Sequence, residues 1–466
     1  MAQPGQGSSP RRGTAGAHAA AIAAFAMLIV IALWAFAWPV RRAFIEVEIS
    51  ANEGWNAYFA DAVFGPAPLY PPVEALIANN YPPVSFAIIA VLARWVGDPV
   101  LVGRLVSLTS VGAVALWIAL AARSLGSSRA GAIVAASWFL ATSSRFFQFY
   151  VGANEPQMLA HAVVGGGFVL FLRARARGGR YAPAILTMVT AGFVKHTVLA
   201  MPLATMAWLA WNAPREALRQ AVLAGAAAAV GFAICLALFG HDFVVNMLLP
   251  RRFVLDAALG AIGHLQWTAV ALLVWLYVGW ALRRDPDARF VSLLVAVAFV
   301  LFFVLKTGAG VGENAQLDLV IALAIALGLT YTHAPPMPLL PAAGLDARRA
   351  ALLIALCLRL VATTRNEPVR LVVDPAGFAR EVAARSAAFA AIVEQARAAP
   401  ADAVCLVVLA CYRAGKPFVV DTLTLGERIA KGAHPADAVD SLVAAGRLAV
   451  IPADPRASWR VRMPRD

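Results

Sequence analysis

Charge is scarce in this chain. Of its 466 residues only 14% are charged and 61% are hydrophobic, against roughly a quarter charged in an ordinary soluble domain. A soluble protein of this size could not cover itself with so few polar groups. That excludes a soluble globular enzyme and a disordered chain. Cysteine is scarce too. Four residues, two of them (Cys235 and Cys357) inside apolar runs, exclude a disulfide-stapled secreted scaffold. Only four lysines occur, Lys195, Lys306, Lys416 and Lys431, so the net charge of +13 is carried by arginine. A basic excess invites a nucleic-acid reading. Here short basic loops between apolar spans account for it better, and no nucleic-acid partner is expected.

What is abundant is long apolar sequence. Residues 17–40 could cross ~30 Å of hydrocarbon at 1.5 Å per residue. Further spans are placed near 100–122, 130–151, 156–172, 182–194, 198–211, 220–240, 264–282, 290–305, 316–332 and 350–362, making about 11 transmembrane helices in a mainly α, polytopic membrane protein. The apolar stretch 84–96 follows Tyr81-Pro82-Pro83, has only 13 residues and contains Arg94. It reads as a helix lying in the interface. With the N-terminus inside, the N-tail and segments 123–129, 173–181, 212–219, 283–289 and 333–349 hold 15 basic and four acidic residues. The positive-inside rule supports that register. Lys195-His196-Thr197 then joins two short spans near the outer surface.

The first 365 residues form the membrane domain, and 366–466 differ in pattern. Short β-like runs (369–374, 403–408, 418–421, 448–452) alternate with helix-like stretches (378–398, 425–431, 435–445), suggesting a small α/β domain outside the membrane. This tail has no GxGxxG, P-loop or metal-spaced Cys/His set. Cys405 and Cys411 could pair in an oxidising compartment; burial as separate thiols in a strand and a helix is the expectation.

Chemistry gathers in the outer connections. The loop 41–99 carries Glu46, Glu48, Glu53, Asp61, Glu74 and Asp98, with Glu48 to Tyr58 placing carboxylates beside aromatics at the membrane edge. Glu155 precedes Pro156 at a helix start, a position the helix dipole favours for an anion without any further role. Lys195, His196, Arg251, Arg252 and Lys306 face the same side. Lys306 opens the Gly-rich run Thr307–Asn314, a weak phosphate-cradling signal by itself.

The order of these pieces resembles the GT-C glycosyltransferases, including the protein O-mannosyltransferase-like and lipid A aminoarabinose transferase branches. Asn52-Glu53-Gly54-Trp55-Asn56-Ala57-Tyr58 is similar to their Asp-Glu region after span 1. Tyr81-Pro82-Pro83 resembles the element before their interfacial helix. Arg104-Leu105-Val106-Ser107 resembles their second span, and Asn154-Glu155-Pro156 the Asp-Pro element opening a later one. Lys195-His196-Thr197 resembles a joint between short spans, and Ala414-Gly415-Lys416-Pro417 a piece of bacterial C-terminal domains.

The resemblance implies a multi-pass protein of the bacterial inner membrane with its C-terminal domain periplasmic. It implies a polyprenyl-phosphate sugar donor and a glycan, lipid or protein acceptor. Asn52 stands where the family has Asp, so the base role falls to Glu53, or to Glu48 one turn earlier. Glu155 positions the acceptor or shares that role. Lys195, His196, Arg251, Arg252 and Lys306 are expected to hold the donor phosphate. Trp55, Tyr58 and Tyr81 are expected to order the acceptor or the loop. No metal ligand set is assigned, although a divalent ion between Glu53 and Glu155 is compatible with the pattern. A transporter or flippase is the alternative, and a non-catalytic assembly subunit a third reading. Charges gathered at one membrane face and the lack of an internal repeat favour the enzyme over a transporter.

The register has a direct check: reporter fusions after Arg177 and Gly415 should report opposite sides of the membrane. Finding both on one side would overturn it.

Overall fold

The computed structural model describes residues 11–249, 251–336, 343–362 and 367–459. The expected domain boundary at 365/366 and the first ten residues of the polar N-tail lie outside the described residues.

Each of the eleven expected spans is helical. Helix α1 (Arg11–Arg42) leads into a loop holding α2 (Asn52–Ala62) and α3 (Val84–Val96). The helix expected over 84–96 is thus present with the expected ends; Gly97, in the left-handed region at φ 87°, terminates it. Helix α4 (Pro99–Ser124) starts where Pro99 takes the first helical position and the Asp98 carboxylate accepts the Val100 N–H. Helix α5 (Arg129–Phe146) is capped by Ser128. Then follow α6 (Gln157–Arg177), α7 (Ala182–Val194), α8 (Ala200–Asn212) and α9 (Pro214–Met247). Gly240, at φ 69°, breaks α9 near its end. Helix α10 (Leu255–Gly260) and the 3-10 turns after it meet α11 (Ala269–Ala281) at an 83° bend. Helices α12 (Pro286–Lys306), α13 (Leu317–His333) and α14 (Leu345–Val361) complete the bundle.

Among the described residues six helices are long and apolar enough to cross a membrane, or seven if the bent segment 255–281 is one span. Helices α7 and α8, with 13 residues each, fall short of the ~20 that a single crossing needs. Helix α13 is the axis of the bundle: 15 of its 17 residues are buried. Its run of Leu, Ile, Val and Ala is apolar all round, as a helix surrounded by others must be. Helix α9 is the opposite case, since most of its apolar side chains face outward.

The C-terminal segment contains α15 (Glu367–Val373), α16 (Pro375–Ala398), β1 (Asp402–Cys405), α17 (Val408–Arg413), α18 (Thr422–Ala430), α19 (Ala438–Ala444) and β2 (Leu448–Ile451). Strands β1 and β2 pair in parallel, Asp402 opposite Leu448. Two of the four expected strands are corrected. Residues 369–373 are helical, within α15, and 418–421 join no ladder; short apolar runs do not by themselves distinguish strand from helix. The expected separate thiols are corrected as well. Cys405 and Cys411 form a disulfide, because the turn from β1 into α17 brings their Cα atoms to 5.8 Å.

This segment packs directly on the first loop. Val47, Ala57 and Val100 share one apolar core with Phe389, Ile392, Val407, Leu409 and Ile451. Gly54 makes the closest approach: a Cβ there would lie 2.5 Å from the Leu409 nitrogen and 2.6 Å from the Val408 carbonyl carbon. Gly54→Ala is therefore expected to destabilise by about 1–3 kcal/mol through overpacking, although alanine is the better helix former. Thermal unfolding in detergent measures it; an unchanged or raised midpoint would refute the contact.

Candidate active site

Helix α2 presents two neighbouring side chains in different directions. Glu53 points inward and is fully buried. Arg104 of α4 grips it with a two-pronged fork, Nε to Oε1 at 2.8 Å and Nη2 to Oε2 at 2.7 Å. The backbone N–H groups of Ile49 (2.7 Å) and Asn154 (3.0 Å) complete its acceptor set. Arg104 also donates to the carbonyls of Ile45 and Val47, at 2.8 Å each. Glu48 is buried against the C-terminal segment, where it accepts the Leu409 N–H at 2.9 Å. Burial pushes its carboxyl up to about 8, reinforced by the nearby Glu53 charge and opposed by the Leu409 N–H, Ser458 and Arg104. Neither carboxylate reaches the main cavity.

That cavity has a volume of about 460 Å³ and lies between the loop end of the bundle and the C-terminal segment. Glu155 stands in its wall, just before α6. Asn52, at the start of α2, donates Nδ2 to Glu155 Oε2 at 2.9 Å. Lys195, from the α7–α8 joint, donates Nζ to Glu155 Oε1 and sits 4.5 Å from the Tyr81 ring centroid. Trp55 packs edge-on against Tyr81 at 4.9 Å. His196, Arg251 and the Gly308–Gly312 loop also line the cavity. Burial, then the charges of Lys195 and Arg251, push the His196 imidazole down to about 4, so it is neutral at neutral pH.

Seven expected site residues thus come together: Asn52, Trp55, Tyr81, Glu155, Lys195, His196 and Arg251. Five do not line this space. Glu48 and Glu53 face the protein interior. Arg252 pairs with Glu427 at 2.9 Å, Lys306 donates to the Val311 carbonyl at 2.8 Å, and Tyr58 donates to the Lys416 carbonyl at 2.8 Å while stacking on Phe418. The expectation that Glu53 and Glu155 converge on one open space is corrected. They are neighbours through Asn154, but all four acceptor positions of Glu53 are taken by the protein. Among the described residues no three His, Cys, Asp or Glu side chains gather as a metal site.

Sequence reasoning passed over two residues. Asp318 of α13 lines the cavity, and His161 of α6 lies behind it, with Nδ1 3.5 Å from the Asp318 carboxylate. Both are buried inside apolar spans. An ionisable group within an apolar span was the signal available.

Fold and cavity together define a class: a mainly α, multi-pass membrane protein with the GT-C fold. The chain is similar to crystal structures of ArnT from Cupriavidus metallidurans. The apo form matches with a TM-score of 0.57 at 14% identity, over 90% of this chain and 89% of that one. The form bound to undecaprenyl phosphate matches with a TM-score of 0.50 at 15% identity, over 90% and 80%. No family model and no curated protein matches the sequence.

Glu48 makes stability depend on pH. Its folded-state value lies above the ordinary 4.5, so between about 4.5 and 8 the folded chain holds a proton that the unfolded chain has lost. Stability should fall as pH rises through that window, by up to about 1.4 kcal/mol per pH unit. Melting curves of the Glu48→Gln variant should be flatter with pH than those of the parent; equal slopes would refute the assignment.

Proposed function

We propose that the chain is a glycosyltransferase that moves a sugar from a polyprenyl-phosphate donor to an acceptor hydroxyl at the outer face of the bacterial inner membrane. The observation that carries this reading is Glu155, held between Asn52 and Lys195 in a large cavity with further cations on its wall. The fold shared with a protein solved bound to undecaprenyl phosphate supports a lipid-linked donor. The exposed apolar side chains of Leu248, Phe253 and Leu255 beside Arg251 suit an isoprenoid tail leaving the cavity toward lipid.

Glu155 accepts the proton of the incoming hydroxyl as its oxygen attacks the anomeric carbon. The bond from that carbon to the phosphate oxygen breaks, and a single displacement inverts the centre. The departing phosphate gains charge, which Lys195 and Arg251 offset in a site shielded from bulk water. Neutral His196 donates or accepts a hydrogen bond there without adding charge. Asn52 holds the Glu155 carboxylate through Oε2. Trp55 and Tyr81 form the aromatic wall that orders the approach of the acceptor. Glu53 is a positioning residue, acting through Asn154 on the neighbouring Glu155. Arg252, Lys306 and Tyr58 brace the loops around the site. The acceptor, whether glycan, lipid or protein, enters from the aqueous side beneath the C-terminal segment, which we read as periplasmic.

In proteoliposomes supplied with undecaprenyl-phosphate sugars and cell-envelope acceptors, Glu155→Gln should lower transfer by about 10²–10⁴-fold while donor binding persists. Arg251→Ala should instead weaken donor binding. Full activity in Glu155→Gln would overturn the assignment of the base.

A further inference from the structure

The cavity has a second polar pole, unused by the mechanism above. It is an ordered chain of hydrogen bonds running inward. Asn314 Nδ2 donates to Gln157 Oε1 at 2.9 Å. That fixes the Gln157 amide so that its Nε2 meets His161 Nε2, also at 2.9 Å. The imidazole Nε2 is then an acceptor, which leaves the ring proton on Nδ1, and Nδ1 faces Asp318 Oδ1 at 3.5 Å. The other carboxylate oxygen, Oδ2, lies 3.4 Å from the Ala200 N–H at the start of α8. Every link therefore points its donor toward Asp318, the arrangement that favours a carboxylate acceptor.

The Leu199 backbone N–H bonds the Asp318 carboxylate as well; a carboxylate has about four acceptor positions, so these contacts leave room for a further donor. The His161 and Ala200 distances exceed an ordinary hydrogen bond to a carboxylate, and no lysine or arginine pairs with Asp318 among the described ion pairs. It is nonetheless buried, in the first turn of α13, and it faces the cavity together with Gln157 and Asn314. A buried acceptor of this kind, bordering a cavity, suits a ligand that brings donors.

We propose that Asp318, supported by His161, Gln157 and Asn314, forms the sugar subsite of the donor, taking hydrogen bonds from donor groups on the ring while the phosphate lies toward Lys195 and Arg251. The proposal rests on the glycosyl-transfer reading and adds the part of the donor that this pole recognises. The recognised chemistry is an O–H or N–H donor on the sugar, from a hydroxyl or from an amino substituent. His161 orients Asp318 and does not itself touch the sugar.

The test is equilibrium binding to the full chain in lipid nanodiscs. The probes are undecaprenyl phosphate, undecaprenyl-phosphate hexose and pentose, and an undecaprenyl-phosphate amino-hexose. Asp318→Asn keeps the shape and removes the charge. It should weaken binding of the sugar-bearing probe that the parent prefers by about tenfold or more, about 1.4 kcal/mol, and leave undecaprenyl phosphate unchanged. A loss confined to the amino-hexose identifies an N–H donor; a loss on neutral sugars identifies hydroxyls. Asn314→Ala, at the partly exposed end of the chain, is the second variant should Asp318→Asn not fold, and should give a smaller loss with the same selectivity. Equal losses for sugar-bearing and sugar-free lipid, or no loss in either variant, overturn the subsite alone. A parent protein that binds none of the four probes overturns the glycosyl-transfer reading, and the subsite with it.

Discussion

The fork between Arg104 and Glu53 holds the site end of this molecule together. One guanidinium from α4 and one carboxylate from α2 join four pieces of chain: the two helices, the loop 45–49 and the short turn before α6. A charged pair removed from water is favourable only when its geometry is good and its remaining donors and acceptors are filled. Here the backbone supplies those partners. Asn154 is one of them, so the residue that follows it, Glu155, is placed by the same network. The carboxylate that meets the cavity is positioned by one that does not.

Burial separates the two roles. Glu53 is surrounded by donors from the protein and has no position left for a ligand. Glu155 accepts from Asn52 and Lys195 and still borders open volume. Their environments differ more than their residue type, which is the usual basis for assigning separate tasks to neighbouring carboxyls. Lys195 belongs to the joint between two helices too short to cross alone, a break that brings an ammonium group below the loop surface.

The C-terminal segment closes this arrangement from above. Its disulfide-linked turn lies on α2 at Gly54, receives Glu48 and contributes Cys405, Leu406 and Val408 to the cavity wall. The cavity is therefore bounded by both parts of the chain. That relation was not legible in the sequence, because the tail's pattern of short apolar runs reads the same whether it folds apart or against the membrane part. The strands expected at 369–374 and 418–421 failed for a related reason: runs of four to six apolar residues are decided by what they pack against.

Periodicity, apolar length and capping residues were enough to place the helices and the break at Lys195, since these depend on local backbone chemistry and on the cost of exposing peptide groups to lipid. Together with the family resemblance they placed seven residues of the cavity wall in one list. Tertiary structure alone decided which of them face a common space. Asn52 and Glu53 are adjacent, yet successive side chains on a helix point about 100° apart, and the position of Arg104 on another helix selects which one turns inward. Asp318 and His161 lie on α13 and α6, far apart in sequence, and became a pair only when those helices packed. A one-dimensional pattern records how apolar a helix is; the direction of each side chain and the partner it meets are set by the neighbouring helices.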